Sequence, residues 1–177
     1  MFEQQELKDI ILGISKRDER AFKRLFEDFF NTLVNYAYSF VLDRTIAEDI
    51  VLELMVKIWD LGPKINSIQN IKYYLYRSTK NRCLNEIKQS SKFSFEELDD
   101  TTLESTTPES LLITKERSAF IEQAINSLPL RCRTVFIMVR ENNMSYQEVA
   151  DILEISINTV NRHMQDALHK LYDQLIK

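Results

Sequence analysis

Glycine occurs twice and proline three times in 177 residues, where ordinary usage of about 7% would supply roughly a dozen glycines alone. Turns between strands draw on both residues, so the composition argues against a β-rich fold. Gly13 and Gly62 stand far apart, which excludes a three-glycine dinucleotide fingerprint and a glycine-rich phosphate loop. Two cysteines, Cys83 and Cys132, are too few and too widely spaced for a disulfide framework or a cysteine-rich zinc site. Two histidines, His163 and His169, stand six positions apart. That is the wrong interval for two ligands on one helix face, and both read as surface or flanking residues. No window approaches the ~18 consecutive apolar residues of a membrane span, and the opening MFEQQELKD lacks the apolar stretch of a signal peptide. The expectation is a soluble, cytoplasmic chain without membrane insertion. With no phosphate loop, metal spacing or histidine–carboxylate cluster, no catalytic residue, metal or cofactor is expected.

What the chain does contain is helix-forming apolar periodicity and a sharp local asymmetry of charge. Hydrophobic residues make up 44% of it, enough to build one domain or two small ones. The formal net charge is −4, which argues against nucleic acid only if it is uniform. It is not. Residues 72–92 hold six basic side chains against one acidic, and residues 93–122 hold two basic against eight acidic. A phosphate-contacting patch is a local property, so the net charge does not forbid one.

Between residues 18 and 42, Ala21, Phe22, Leu25, Phe26, Phe29, Phe30, Leu33 and Val34 recur at helical spacing. Asp43-Arg44-Thr45 breaks the pattern, and Thr45 with Glu48 three residues on reads as a capping box opening a second helix that runs to about Asp60. Leu61-Gly62-Pro63 ends it. A third long helix is predicted over about 70–89. Residues 90–110, SSKFSFEELDDTTLESTTPES, are rich in Ser, Thr, Asp and Glu and lose the stripe, as a flexible acidic linker does. Helical pattern resumes over about 111–127, breaks at Leu128-Pro129, and returns over about 130–140. The fold class is therefore all-α, with two small helical domains joined by a tether.

Near the C-terminus, Ser145-Tyr146-Gln147-Glu148 forms an S-x-x-E capping box. Tyr146, Val149, Ala150 and Leu153 follow on one face. Glu154-Ile155-Ser156 turns the chain, and Ser156 caps a second helix with Val160, Met164, Ala167, Leu168 and Leu171 as its buried stripe. Two short helices, a three-residue turn and a small residue at their crossing meet the requirements of a helix-turn-helix. Asn158, Asn161, Arg162, Gln165, Asp166 and His169 fall off the apolar stripe. Arg reads guanine, and Asn or Gln reads adenine, by bidentate hydrogen bonds in a major groove.

On the predicted 70–89 helix, Ile71, Leu75, Thr79, Cys83 and Ile87 take the core side, and Tyr76 joins them. Arg77, Asn81, Asn85 and Lys88 take the opposite arc, with Tyr73, Tyr74 and Lys80 nearby. Cations for phosphates, rings for stacking and amides for unpaired bases suit single-stranded nucleic acid. On the preceding helix Ile50, Val51, Leu54 and Ile58 face inward, while Leu52 and Val56 fall on the other side among Asp49, Glu53 and Asp60. An exposed apolar strip rimmed by acids suits a protein partner with basic residues.

The order AFKRLFEDFF, AEDIVLELMVKIWD, NIKYYLYRSTKNRCLNEIKQ, an acidic linker, LPLRCRTVF and the helix-turn-helix resembles the extracytoplasmic-function (ECF) sigma factors over about residues 15–177. The resemblance implies sigma region 2 at 1–90, a flexible linker at 91–111 and sigma region 4 at 112–177. It implies that Asp49, Leu52, Glu53 and Val56 bind the β′ clamp helices of core RNA polymerase, with the β flap as a further partner surface. Tyr73, Tyr74, Arg77, Lys80, Asn81, Asn85 and Lys88 would read the −10 element, and Lys64–Asn70 would hold a flipped base. Asn158, Thr159, Asn161, Arg162 and Gln165 would read the −35 element. Promoter DNA is then the ligand, and an anti-sigma factor is a further expected partner. Three positions depart from the family pattern. Leu52 stands where Gln is frequent, Asp166 where a basic residue is frequent, and Glu154 where Gly is common, so the turn at Glu154 must avoid positive φ or strain to reach it. The rival reading is an ordinary helix-turn-helix regulator that is not a polymerase subunit.

Overall fold

A computed structural model of the chain describes residues 4–90 and 113–175. Of the predicted linker, Ser90 belongs to the helix before it, and the rest, with Phe93, Phe95, Leu98 and Leu103, lies outside them. The described residues form eight α-helices: α1 (Gln4–Ser15), α2 (Glu19–Val41), α3 (Arg44–Leu61), α4 (Ile71–Ser90), α5 (Ile113–Asn126), α6 (Leu130–Arg140), α7 (Tyr146–Leu153) and α8 (Ile157–Leu175). A 3-10 turn, Gly62–Ser67, stands between α3 and α4. The chain divides into two compact units, residues 1–90 and 91–177.

In the first unit α2 is the spine, packing against α1, α3 and α4. Asp18 caps it by accepting a hydrogen bond from the Arg20 amide at 2.9 Å. Its buried side follows the predicted period through Ala21, Leu25, Phe29, Leu33 and Val34. Tyr36 and Tyr76 meet at the centre, ring centroids 5.0 Å apart, and burial pushes the Tyr36 phenol above its ordinary range. Cys83 packs beside them, and burial raises its thiol pKa to about 12. It is an inert core residue.

α1 precedes every helix assigned from periodicity. It buries Ile10 and Ile14, and Gly13 makes its approach to α2 possible: a Cβ there would lie 2.5 Å from the Ala21 Cβ.

The α3 cap differs from the prediction. Asp43, not Thr45, caps the helix, accepting from the Ile46 amide at 3.0 Å. Asp is at least as good a cap as Thr, and Leu42 in the left-handed region (φ 54) has already turned the chain there. Glu48 is left to pair with Arg44 at 3.1 Å instead of closing a capping box. At the other end Gly62 sits at φ 50, and Arg17 donates to the Trp59 carbonyl at 2.6 Å with its guanidinium carbon 5.3 Å from the Trp59 ring centre. A cation thus meets the carbonyl end of α3, where the helix dipole favours it.

In the second unit α8 packs on α5, α6 and α7, over a core of Ala124, Leu128, Cys132, Ala167 and Leu171. Arg133 is buried and donates to the carbonyls of Asn126 (2.6 Å) and Leu128 (3.0 Å), fastening the α5–α6 turn. Two α8 assignments are corrected. Leu168, expected in the stripe, is exposed, and His163, expected at the surface, is buried. At about 100° per residue, Leu168 turns about 80° from Val160 one way and His163 about 60° the other. α6 covers the histidine's side. His163 is held below its ordinary 6.5 by burial first, then by Arg162 and Arg131.

Candidate nucleic-acid and polymerase interfaces

The helix-turn-helix is assembled by two caps. Ser145 Oγ accepts from the Glu148 amide at 3.2 Å while Glu148 Oε2 accepts from the Ser145 amide at 2.9 Å. Ser156 Oγ accepts from the Thr159 amide at 3.1 Å and starts α8. Between them Glu154 takes the left-handed conformation at φ 60, and the amides of Glu154 and Ile155 both reach the Ala150 carbonyl. The turn therefore does not avoid positive φ. A non-glycine residue holds it, at about 1–2 kcal/mol of conformational strain. Ala150 is buried in α7, which packs on α8. Any larger side chain would push the two backbones apart.

That geometry leaves Asn158, Asn161, Arg162 and Gln165 exposed along the first half of α8. Thr159 is different. It is half-buried and its hydroxyl lies 2.8 Å from Ser156 Oγ, so it belongs to the cap. Asp166 and His169 are exposed as well, and Asp166 lies about 60° around the helix from the buried His163.

On α4, Asn70 opens the helix by accepting from the Tyr73 amide at 3.0 Å. Ile71, Leu75, Tyr76, Thr79 and Cys83 are buried, and Ile87 is only half-buried. Arg77, Asn81, Asn85 and Lys88 are exposed, at intervals that keep them on one face. Tyr73, Tyr74 and Lys80 are half-buried at its margin. Arg77 stands over the Tyr73 ring, 5.9 Å from its centre, which presets a cation beside an aromatic ring. In the preceding turn Ile65 is fully buried as an anchor, while Lys64, Asn66, Ser67, Gln69 and Asn70 face solvent.

On α3, Asp49, Leu52, Glu53 and Val56 form one exposed face; Leu52 is 43% and Val56 60% exposed. Two apolar side chains are thus left open to water beside two acids. A groove there is lined by Leu52, Glu53, Val56, Lys57, Asp60 and Arg82. Sequence reasoning did not find Lys57 and Arg82. Arg82 lies in the basic run, but its ion pair to Glu53 bridges 29 residues, and no local spacing announces that.

Two sigma-family models match the chain, "Sigma-70 region 2" over residues 25–93 and "Sigma-70, region 4" over residues 121–171. Similar proteins include the RNA polymerase sigma-H factor of Pseudomonas aeruginosa, 21% identical over 100% of this chain and 99% of that one. The ECF RNA polymerase sigma factor SigW of Bacillus subtilis is 23% identical over 96% of each chain. Among solved structures, CnrH, determined in complex with the cytosolic domain of CnrY, gives a TM-score of 0.68 at 18% identity over 96% of this chain and 97% of that one, a likeness of fold.

With both regions matched in this order, the chain belongs to the sigma-70 family of RNA polymerase sigma factors, in its extracytoplasmic-function group. It is an alternative sigma factor, a subunit that directs promoter-specific transcription initiation, with core RNA polymerase and promoter DNA as partners. The reading as an independent helix-turn-helix regulator is not favoured. Sigma factors in general are not enzymes. Among the described residues no helix is long and apolar enough to cross a membrane.

Proposed function

We propose how the work is divided along this chain. Residues 1–90 dock on the clamp helices of the β′ subunit through Asp49, Leu52, Glu53 and Val56. The same domain takes the unpaired −10 strand on Tyr73, Tyr74, Arg77, Lys80, Asn81, Asn85 and Lys88. Residues 112–177 read the −35 element through Asn158, Asn161, Arg162 and Gln165, with Thr159 holding the cap that aims them, and meet the β flap. Residues 91–111 tether the two domains, so neither has to bind DNA tightly alone. Polymerase and tether together supply effective concentration. That reconciles an acidic chain with a DNA-binding role. The location is the cytoplasm, where the polymerase is.

One observation carries this reading: the exposed Leu52–Val56 strip and the exposed Arg77–Lys88 face lie on adjacent helices of one unit, joined by the Glu53–Arg82 ion pair. A protein surface and a strand surface are thereby held in fixed relation. By analogy with CnrH, solved with the cytosolic domain of CnrY, an anti-sigma partner covers these surfaces when the protein is idle.

Run-off transcription with core polymerase and a library of promoter fragments tests the proposal. Wild-type protein gives promoter-dependent transcripts. Asn81→Ala loses −10 discrimination and keeps polymerase binding, whereas Leu52→Asp loses polymerase binding. If Leu52→Asp, Val56→Asp and Asn81→Ala all transcribe like wild type, the assignment of these faces is wrong.

A further inference from the structure

We propose that Cys132 Sγ, His163 Nδ1 and the Asp166 carboxylate form a binding site for one Zn2+ ion between α6 and α8, behind the helix read as the −35 reader. The three ligand atoms lie within 4.8 Å of one another, and among the described residues no other three His, Cys, Asp or Glu side chains are so grouped.

The distances suit the ion. Cys132 Sγ and His163 Nδ1 are 3.9 Å apart. Zinc bonds of about 2.3 Å to sulfur and 2.0 Å to nitrogen, at a tetrahedral angle, set those atoms about 3.5 Å apart. The pair needs to close only slightly. His163 and Asp166 stand three residues apart on α8, the spacing that places two side chains on one face. Cys132 comes from α6, so the ligands are held by two packed helices rather than a loop.

The chemistry also suits it. Thiolate and imidazole are the donors that favour zinc over magnesium or calcium. On binding, the Cys132 thiol gives its proton to solvent and the thiolate forms the metal bond. Thiolate and carboxylate then bring two negative charges, which offset the dication beside Arg131 and Arg162. Cys132 and His163 are buried while Asp166 is exposed, so the fourth position opens toward water, and the ion enters from that side.

Occupancy would cross-link α6 to α8 and fix the rotation of α8 about its axis. This consequence for promoter binding rests on the function proposed above; the metal site does not. The two are tested separately.

The test is titration of the reduced full-length protein with Co2+, whose thiolate charge-transfer and ligand-field absorption report a sulfur-bound, four-coordinate site. The expected result is a one-to-one end point with a thiolate band that Zn2+ abolishes. Cys132→Ala, which fits a small core position, removes the band. Asp166→Asn, at an exposed position that leaves the fold intact by circular dichroism, weakens binding by at least about tenfold, the lower end of what losing a supporting group costs a metal site. No thiolate band in excess Co2+ overturns the proposal. So does stoichiometric binding that survives Cys132→Ala, which would place the ion on an exposed pair such as His169 and Asp173. Binding of −35 duplex by holoenzyme, with and without Zn2+, is measured independently, and loss of that coupling alone leaves the site standing.

Discussion

Arg82 Nη1 lies 2.6 Å from Glu53 Oε2, tying the helix with the exposed cations and amides to the helix with the exposed apolar strip. The arginine is shielded, its side chain 28% exposed, while the glutamate is open to solvent at 73%. Such a pair contributes only about 0.2–1 kcal/mol to stability. Arg82→Gln is therefore expected to leave the melting temperature nearly unchanged. If the pair holds the α3 face for polymerase, the same change lowers core polymerase affinity several-fold in a fluorescence titration. A large fall in melting temperature with affinity intact would assign the pair to folding instead.

Gly13 gives a prediction opposite in sign to helix propensity. It lies inside α1, where alanine is ordinarily better by about 1 kcal/mol. Here a Cβ would meet the Ala21 Cβ at 2.5 Å. Gly13→Ala is expected to destabilise the first unit by roughly 1–3 kcal/mol, the range for overpacking. Urea unfolding followed by Trp59 fluorescence reads that unit directly, and a stabilised variant would mean that α1 does not pack there.

Arg162 is exposed on α8 four residues after Asn158. Arg162→Ala is expected to cost about 1–3 kcal/mol of promoter binding and to relax sequence choice at one base pair. Electrophoretic mobility of holoenzyme on a randomised −35 library checks it. An equal loss on every sequence would show that the side chain touches only phosphate.

His163 makes stability depend on pH. Its folded pKa lies below the ordinary 6.5 because burial disfavours the imidazolium. Above that value neither state is protonated and nothing is lost. As the pH falls below 6.5 the unfolded chain takes up the proton before the folded chain does, so stability drops through that window. Thermal unfolding of the metal-free protein, with chelator present, from neutral pH to about pH 5 should show a steeper loss for wild type than for His163→Leu. Parallel curves would mean that the imidazole is solvated.

Much of this was legible because it is local. Ser145 and Glu148 are three residues apart, and so are Ser156 and Thr159; both caps follow from the order of residues alone. The inward faces of α2, α3 and α4 obey a helical period, so Leu25, Leu54 and Leu75 could be placed without coordinates. The exposed faces followed by subtraction, which is how Leu52, Val56, Asn81 and Arg162 were found. The Thr45 cap failed because two adjacent residues could each cap and the sequence does not say where the preceding chain turns. His163 failed because its depth depends on what α6 lays over it.

The sequence by itself determined the all-α class, the positions of most helices and the side chains each would show to water. These depend on residues a few positions apart, and a helix brings those together whatever else the chain does. Only the tertiary structure decided that Arg17 closes the carbonyl end of α3, that Glu53 holds Arg82, that Gly13 is a contact point and that Cys132 meets His163. Each joins residues on different helices, and such meetings are set by packing, which no local pattern encodes.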